Sequence, residues 1–189
     1  MKKLIFVTKN KHKVKEIQAI LKEFNVKLIQ KGLELEENPL LSLEEIALSK
    51  AKQAYRKFGV PLIAEDTGIY FTALKNFPGS KSKRIFEEIG YKGLMEKLKG
   101  KKRNALFKTV ICFIWKKEEY KLFEGKLEGR ITEKPEFLNK DVLPYERIFI
   151  PKGKKKLMAE LSRKEKNKFS HRAIAAGRLG EFLKTKKPE

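Results

Sequence analysis

Two adjacent carboxylates, Glu65 and Asp66, are the first candidates for chemistry in a chain whose formal net charge is +21. They follow the apolar residues 62–64 and precede Gly68, so the pattern predicts a strand, an acidic pair, a turn at Gly68 and a second β-rich run. Carboxylates at a strand end can hold a hard cation through oxygen ligands or take a proton from water. The alternative is a solvated turn in which the Asp66 side chain bonds its own backbone.

A second candidate group lies between the apolar residues 4–7 and the first predicted helix. Asn10 is placed to cap that helix, whose apolar side chains recur at helical spacing. A strand that leads into a helix N-terminus leaves N–H groups at the positive end of the helix dipole, and such groups bind phosphate. Many α/β proteins begin this way without binding an anion. The predicted anion-binding segment comprises Thr8, Lys9, Asn10, Lys11, His12 and Lys13.

A third group opens the last predicted helix. Ser170 is a plausible N-cap, which places the cations His171 and Arg172 in the first turn, where they oppose the helix dipole. An anion docked on this terminus would account for them. Two such termini predict that two or more phosphates are held at once, and an acidic group among phosphates implies a divalent cation. Mg²⁺ is the hard ion that pairs with few carboxylates and substrate phosphates.

The elements that must position these groups follow an α/β pattern. Strands are predicted over residues 26–29 and 145–150, and residues 105–115 and 119–131 form a long antiparallel hairpin. In the hairpin, the glycines at 125 and 129 predict bulges or a close backbone approach. Residues 77–84 read as a turn-rich basic loop, either a surface turn or a flap over an anion. A helix over residues 85–98 is predicted to break at the glycines 90 and 93.

A capping box opens the second helix, with Ser42 as N-cap and Glu45 at the third helical position, and the helix ends near Gly59. Glu45 is needed as a cap, so Glu37 on the preceding loop is preferred as a metal ligand. Lys50 lies on this helix and is either a solvated lysine or a phosphate contact.

Length and composition bound the class of protein. The chain of 189 residues suits a single domain, residues 1–189, of two lobes. Its only cysteine, Cys112, rules out an internal disulfide and favours a reducing, cytoplasmic location. No run is long and apolar enough to suggest a membrane span or a signal peptide. The excess of Lys and Arg requires an anionic partner, and the candidates are nucleic acid, an anionic membrane surface and a polyphosphate substrate.

Four motifs resemble the inosine triphosphate pyrophosphatase family, the Ham1-like pyrophosphatases of non-canonical purine nucleoside triphosphates. The motifs are Thr8-x-Asn10-x-x-Lys13-x-x-Glu16, residues 64–69 (Ala-Glu-Asp-Thr-Gly-Ile), Pro78-Gly79 and residues 165–172 (Glu-Lys-Asn-x-x-Ser-His-Arg). The resemblance implies an α/β fold with an elongated mixed β-sheet, flanking helices and two lobes around a central active-site cleft. It also implies a Mg²⁺-dependent homodimer that hydrolyses ITP, dITP and XTP to the monophosphate and pyrophosphate, removing deaminated purines from the nucleotide pool.

The resemblance implies roles for individual residues. Asp66 would be the catalytic base and a metal ligand, and Glu37 the second metal ligand, with Asn38 and Glu45 as alternative registers. His171 and Arg172 would recognise the purine through a donor aimed at its O6 atom, and such a donor rejects the amino group of adenine. The implied substrate-binding residues are Thr8, Lys9, Asn10, Lys11, His12, Lys13, Lys50, Thr67, Lys83, Tyr145, Glu146, Lys166, Ser170, His171 and Arg172.

One segment departs from the family pattern of Gly-aromatic-Asp-Pro-x-Phe. Tyr145 keeps the aromatic ring and Glu146 keeps an acid, but Pro144 replaces the glycine and Arg147 replaces the proline. We therefore expect that triphosphate cleavage is retained and that base selectivity is altered or loosened.

Two other functions compete with the enzyme hypothesis. A nucleotide sensor with little turnover would fit the altered segment. A nucleic-acid-binding protein would use the net charge and would bind unrelated duplexes with a steep salt dependence. Against the latter, most aromatic residues are Phe in apolar runs, which suits a core better than a base-stacking platform. We expect a purine nucleoside triphosphate as the partner, with no specific nucleic acid and no membrane.

Overall fold

A seven-stranded mixed sheet forms the centre of the computed structural model, which describes residues 2–38 and 40–185. Its strands are β1 (Lys2–Val7), β2 (Val26–Lys31), β3 (Leu62–Phe71), β4 (Phe77–Gly79), β5 (Asn104–Lys116), β6 (Glu119–Ile131) and β7 (Phe149–Pro151). The helices are α1 (Lys11–Leu21), α2 (Leu43–Phe58), α3 (Ser82–Leu98), α4 (Arg163–Lys166) and α5 (His171–Thr185). The strand order is β2-β1-β3-β5-β6-β7, with β4 paired to β3.

The sheet has an opening along one edge of β3. β1 runs parallel to β3 but pairs only with its first residues, ending at the pair Val7↔Ala64. β4 pairs with β3 in the antiparallel direction and reaches no further back than Ile69. On the other side, β3 pairs with β5 over its whole length. The edge of β3 between Ala64 and Ile69 is therefore left uncovered where β1 ends, and ligands of α/β sheets bind at such carboxyl ends of strands.

Helices cover both faces of the sheet and bury three apolar clusters. α1 and α5 pack on one face, around residues such as Phe6 and Ile17. The alanines of α2 pack on the opposite face against Leu62 and Ala64. A third cluster surrounds the far end of β3, with Phe71 at its centre, and includes side chains of α3 and β7. This architecture confirms the predicted α/β fold with a mixed sheet and flanking helices.

The local signals at helix ends are confirmed. The Asn10 side chain accepts hydrogen bonds at the N-terminus of α1. Ser42 and Glu45 form the complete capping box of α2, and Gly59 ends that helix in the left-handed conformation, with φ of 65°. In α3, Gly90 interrupts the helical geometry with φ of 56°. The second predicted break, at Gly93, is not observed.

Two predictions around β3 are wrong. There is no turn at Gly68, because β3 continues through it to Phe71. The glycine is required instead by a close approach, since a Cβ there would lie 2.7 Å from the carbonyl oxygen of Gly79 on β4. Residues 77–84 are likewise not a loop, because their first part is β4 and α3 begins at Ser82.

The strand predicted over residues 145–150 is also wrong in its first half. Pro144–Arg147 forms a 3-10 turn, and β7 begins only at Phe149. Proline favours the first position of a helical turn because it has no N–H to leave unpaired there and its φ is already helical. In the hairpin, the pairing of β5 and β6 is regular at both glycines of β6, so they mark close approaches and not bulges. Of the two predicted alternatives, close approach is the correct one.

Within residues 2–38 and 40–185, none of the helices has the length and apolar character needed to cross a bilayer.

Candidate active site

A cavity of about 710 Å³ lies at the opening beside β3. The residues that follow β1, the residues that follow β4 and the 3-10 turn before β7 all contribute to its wall. Its lining includes most of the residues predicted to bind substrate, namely Thr8, Lys9, Asn10, Lys13, Lys50, Thr67, Lys83, Tyr145, Glu146, His171 and Arg172. The proposed base and metal ligands Asp66 and Glu37 line it as well. Residues distant in sequence therefore converge where the sheet is open.

The two adjacent carboxylates serve opposite faces of the sheet. Successive side chains of a strand alternate between faces, so Glu65 lies on the side of α1 and α5 while Asp66 lies on the side of α2. Both are buried, with 4% and 8% of their surface exposed. The pair expected to act at one point is therefore divided between two environments that share one cavity.

On the α2 side, Lys50 bridges two carboxylates. Its Nζ atom lies 2.7 Å from Oδ1 of Asp66 and 2.8 Å from Oε1 of Glu37. Burial raises the pKa of Asp66 above its ordinary value, against the opposing effect of the Lys13 and Lys50 ammonium groups. A carboxylate with a raised pKa is a better proton acceptor. Glu45 is absent from this group because both its contacts with Ser42 belong to the capping box.

On the opposite side, Glu65 is held by two cations. Oε2 lies 2.5 Å from Nζ of Lys13, and Oε1 accepts a hydrogen bond of 3.2 Å from Nε of Arg172. The guanidinium also pairs with Glu16 on α1 and donates to the hydroxyl of Thr67 at 3.2 Å. The charge of Arg172 at the start of α5 is therefore balanced by two carboxylates of the protein, those of Glu16 and Glu65.

The pKa of Glu65 reflects these contacts. Burial alone would raise it, but the charges of Lys13 and Arg172 outweigh burial and lower the pKa from 4.5 to about 2. A carboxylate whose pKa is lower in the folded state contributes stability above its unfolded pKa, and this contribution is lost as pH falls toward the folded value.

We expect Glu65→Gln to lower the free energy of unfolding by about 3 kcal/mol near pH 7, given that one pKa unit corresponds to about 1.4 kcal/mol. The difference from wild type should shrink between about pH 4.5 and pH 2, where Glu65 itself becomes protonated. Urea denaturation at pH 7, 5 and 3 measures it. Glu128→Gln is the matched control, since that glutamate pairs with Lys152 in solvent and should show little change. A pH-independent loss in Glu65→Gln would contradict the ion-pair account.

The lysines of the cavity are each placed against a carboxylate of the cavity. Besides the contacts of Lys13 and Lys50, Lys9 pairs with Glu34 at 2.7 Å and Lys83 pairs with Glu87 at 3.8 Å. All of these groups line the same space. The oxygens of a polyanion that entered could replace these carboxylates as partners of the lysines. The ion pairs therefore keep several ammonium groups in fixed positions within the cavity.

The segment after β1 binds its own backbone. Oδ1 of Asn10 accepts hydrogen bonds from the N–H groups of His12 and Lys13, at 2.9 and 3.2 Å, and Oγ1 of Thr8 accepts one from the N–H of Asn10. Two of the donors expected to hold phosphate are therefore used by the cap. Of the lysines in this segment, Lys9 and Lys13 have side chains in the lining of the cavity.

At the other end of the cavity, His171 stacks on Phe107. The rings are 4.6 Å apart and parallel to within 5°. Burial, together with the nearby Arg172 charge, lowers the pKa of His171 well below its ordinary value, so the ring is neutral. Its Nδ1 atom is buried and has no hydrogen-bond partner among the described residues. The ring lies in the cavity wall and, being neutral, has one N–H donor and one nitrogen acceptor, so it is suited to contact a polar edge of a ligand.

Four of the predicted substrate-binding residues do not line the cavity. Lys166 is buried behind it and bonds both carboxylate oxygens of Glu146 at 3.0 Å. Ser170 is buried and caps α5 by accepting a hydrogen bond from the N–H of Ala173. Lys11 is exposed, and His12 pairs with Asp141 at 3.2 Å. Lys166 and Ser170 are thus buried supports of residues that line the cavity, whereas Lys11 and His12 are not part of its lining.

Sequence reasoning left some residues of the site without a role or did not name them. Glu16, the last residue of the first family motif, was given no role, and it pairs with Arg172 and lies 3.9 Å from Lys166. Phe107, by contrast, lies inside an apolar strand, where nothing distinguishes it from a core residue. Ser80 and Ser82 line the cavity because β4 ends there, and that strand was not foreseen.

The fold and the site together define an α/β protein with a lysine-lined cavity at the open edge of its sheet, in which one lysine joins two carboxylates. The chain belongs to the Ham1 family, whose family model matches residues 4–182. A dITP/XTP pyrophosphatase of Saccharolobus solfataricus is 39% identical over 184 residues, covering 97% of this chain and 94% of that protein. A dITP/XTP pyrophosphatase of Hyperthermus butylicus is 37% identical, covering 96% of this chain and 94% of the relative.

Solved structures give the same result. A Ham1 protein from Coxiella burnetii superposes with a TM-score of 0.84 at 26% identity, over 98% of this chain and 100% of that one. The Ham1 protein of Staphylococcus aureus gives a TM-score of 0.82 at 27% identity, with the same coverage. The family resemblance stated from the sequence motifs is therefore confirmed.

Proposed function

We propose that this protein hydrolyses non-canonical purine nucleoside triphosphates, such as dITP, ITP and XTP, to the monophosphate and pyrophosphate. The observation that carries the proposal is the buried Asp66, with its raised pKa, among the lysines of the cavity. Relatives that share the whole length of the chain are named dITP/XTP pyrophosphatases, which supports this substrate class.

The chemistry assigns a role to each end of the cavity. The triphosphate lies among Lys9, Lys13, Lys50 and Lys83, which neutralise its charge. Asp66 accepts the proton of a water that attacks phosphorus, as the bond between the α-phosphorus and its bridging oxygen to the β-phosphorus breaks. The leaving pyrophosphate departs toward the lysines.

The purine lies at the other end, against His171 and Tyr145. The neutral His171 ring carries one N–H, which can donate a hydrogen bond to O6 of hypoxanthine or xanthine but would oppose the amino group of adenine. Arg172 is fixed beside it by carboxylates on two other elements. These contacts support selection for an oxygen at that position of the purine.

Mg²⁺ is the proposed cofactor, held by Glu37 and Asp66 together with substrate phosphates. These two carboxylates suit a cation because both already contact one. The Lys50 ammonium lies within 2.8 Å of an oxygen of each. Among the described residues, no group of three or more His, Cys, Asp or Glu side chains is arranged to hold a metal ion. Mg²⁺ is usually held by one or two protein carboxylates together with substrate phosphates, and when bound here it would neutralise phosphate oxygens.

The test is pyrophosphate release from dITP, XTP, GTP and ATP, with Mg²⁺ and with excess EDTA. We expect fast release from dITP and XTP in Mg²⁺, at least tenfold slower release from ATP, on the order expected for a lost polar contact in the pocket, and none in EDTA. Equal release from all four would retain the chemistry and refute the base selectivity. Nucleotide binding without release from any would refute the enzyme and favour the sensor.

Two further expectations belong to this proposal. A homodimer and a cytoplasmic location remain predictions from the sequence. Light scattering on the purified chain, checked over a range of protein concentrations, decides the oligomeric state. Binding to unrelated DNA duplexes at two salt concentrations decides whether the net charge of +21 also serves nucleic acid.

A further inference from the structure

The segment between β6 and the 3-10 turn contains no helix or strand, yet it is tightly held. We call residues 136–143 the strap. The backbone of Phe137 within it adopts φ of 57°, in the left-handed region that non-glycine residues rarely occupy. The strap ends at Leu143, which lines the cavity together with the following Pro144 and Tyr145. Its conformation therefore determines where the wall at the proposed purine end lies.

Arg147 holds the strap from one side. Its Nε donates to the carbonyl oxygen of Phe137 at 3.2 Å, and its Nη2 donates to that of Lys140 at 2.6 Å. The backbone carbonyl of Arg147 accepts a hydrogen bond of 3.1 Å from the N–H of Glu136. The guanidinium of Arg147 thus donates directly to the carbonyl oxygen of Phe137, the residue with the left-handed backbone.

The same guanidinium reaches the cavity wall through Tyr91 of α3. Nη1 of Arg147 donates to the Tyr91 hydroxyl at 3.2 Å, and that hydroxyl donates to the carbonyl oxygen of Pro144 at 2.8 Å. Tyr145 is anchored separately, by a hydrogen bond of 2.8 Å to the carbonyl oxygen of Ser82. A continuous path of hydrogen bonds therefore connects Arg147 to the residues that line the cavity.

The strap also spans the two sides of the cavity. Asp141 at its tip pairs with His12 of α1 at 3.2 Å. Helix α1 packs in the cluster around Phe6, whereas the 3-10 turn that contains Tyr145 packs in the separate cluster around Phe71. This contact thus joins the two groups of elements whose side chains line the cavity.

We infer that Arg147 is a positioning residue for nucleotide binding: its guanidinium fixes the strap, and through it the cavity wall against which the base lies. This inference rests on the proposed function. Three acceptors placed around one planar group require the fork geometry of arginine, which the single ammonium of lysine cannot reproduce. The position is one at which this chain departs from the family pattern, so the device belongs to this chain's own sequence.

The experiment compares wild type with Arg147→Met, which keeps an unbranched apolar stem and removes every donor of the side chain. We expect KM for ITP to rise about tenfold while kcat stays within about threefold, because binding is weakened equally in the ground and transition states. Competitive inhibition by IMP should weaken about as much, and inhibition by inorganic pyrophosphate should be unchanged. Arg178→Met is the matched control, since Arg178 also donates to a backbone carbonyl, that of Glu124, away from the cavity.

Two more variants keep the inference falsifiable if Arg147→Met does not fold. Arg147→Lys should resemble Arg147→Met, and full rescue by lysine would mean that charge alone matters. Asp141→Ala removes the contact at the exposed tip and should raise KM in the same direction by a smaller factor. Unchanged KM and IMP inhibition in the folded variants would overturn the inference.

The proposed function can fail separately. If wild type hydrolyses no nucleotide, that proposal is lost, and calorimetric binding of IMP to the same variants still tests the strap. Weaker binding of IMP in Arg147→Met alone would support the inference, and equal binding in Arg147→Met, Arg178→Met and wild type would refute it.

Discussion

Asp66→Asn should reduce the rate of pyrophosphate release from dITP and XTP by about 10²–10⁴-fold, the usual effect of removing a general base. The amide occupies nearly the same volume as the carboxylate but cannot take a proton from water. It also removes the negative charge that Lys50 faces at 2.7 Å, which leaves Glu37 as the remaining carboxylate on that ammonium. The loss should fall on kcat, measured by coupled detection of pyrophosphate in saturating Mg²⁺.

Glu124→Gln is the matched control for this variant. Glu124 lies on β6 in register with Val110, which is itself in register with Asp66, so it occupies the same face two strands away. It pairs with Lys108 and Lys126 and does not line the cavity. Turnover in Glu124→Gln should be nearly unchanged. If both variants lose activity alike, the effect reflects charge on the sheet face and not a base at Asp66.

The second large effect is expected from Gly125→Ala. A Cβ on Gly125 would lie 1.9 Å from the carbonyl oxygen of His171 and 2.7 Å from the backbone nitrogen of Ala175. Both are backbone atoms of α5, so the helix must shift and no side chain can give way. Overpacking of this kind costs about 1–3 kcal/mol and occasionally more, and we expect a loss of about 3 kcal/mol in the free energy of unfolding. Turnover should also fall, because the displaced first turn holds His171 and Arg172.

Gly177 provides the control on the same helix. A Cβ there has nothing within 4 Å, and alanine is favoured over glycine in a helix by about 1 kcal/mol. Gly177→Ala should therefore raise the urea midpoint slightly while Gly125→Ala lowers it strongly. Equal midpoints for wild type and Gly125→Ala would show that α5 does not depend on this close approach.

What the sequence predicted best was local. Caps depend on a few neighbouring residues, which is why Asn10, the pair Ser42 and Glu45, and Gly59 were placed correctly. The two long strands of the hairpin have strong β character and were also placed correctly. The motif residues converged on one cavity because the strands that bear them are neighbours in the sheet.

What the sequence could not show was decided by distant contacts. Gly68 looks like a turn because no local pattern reveals that β4 passes 2.7 Å from it. The positive charge of Arg172 suggested an anion-binding site because the residues that neutralise it, Glu16 and Glu65, are 156 and 107 positions away in the sequence. Only the folded chain shows that this charge is already balanced.

The division of Glu65 and Asp66 between two faces of β3 has a consequence for how this chain can change over evolutionary time. An insertion or deletion of a single residue before Glu65 would move every later side chain of the strand to the other face. Glu65 would then meet Lys50, and Asp66 would meet Lys13 and Arg172. Each face would still place a carboxylate against a cation, so the charges alone would not disfavour the shifted register. The slip would instead be felt where Gly68 lies beside β4, because a residue with a Cβ would take its place and that Cβ would lie about 2.7 Å from the carbonyl oxygen of Gly79.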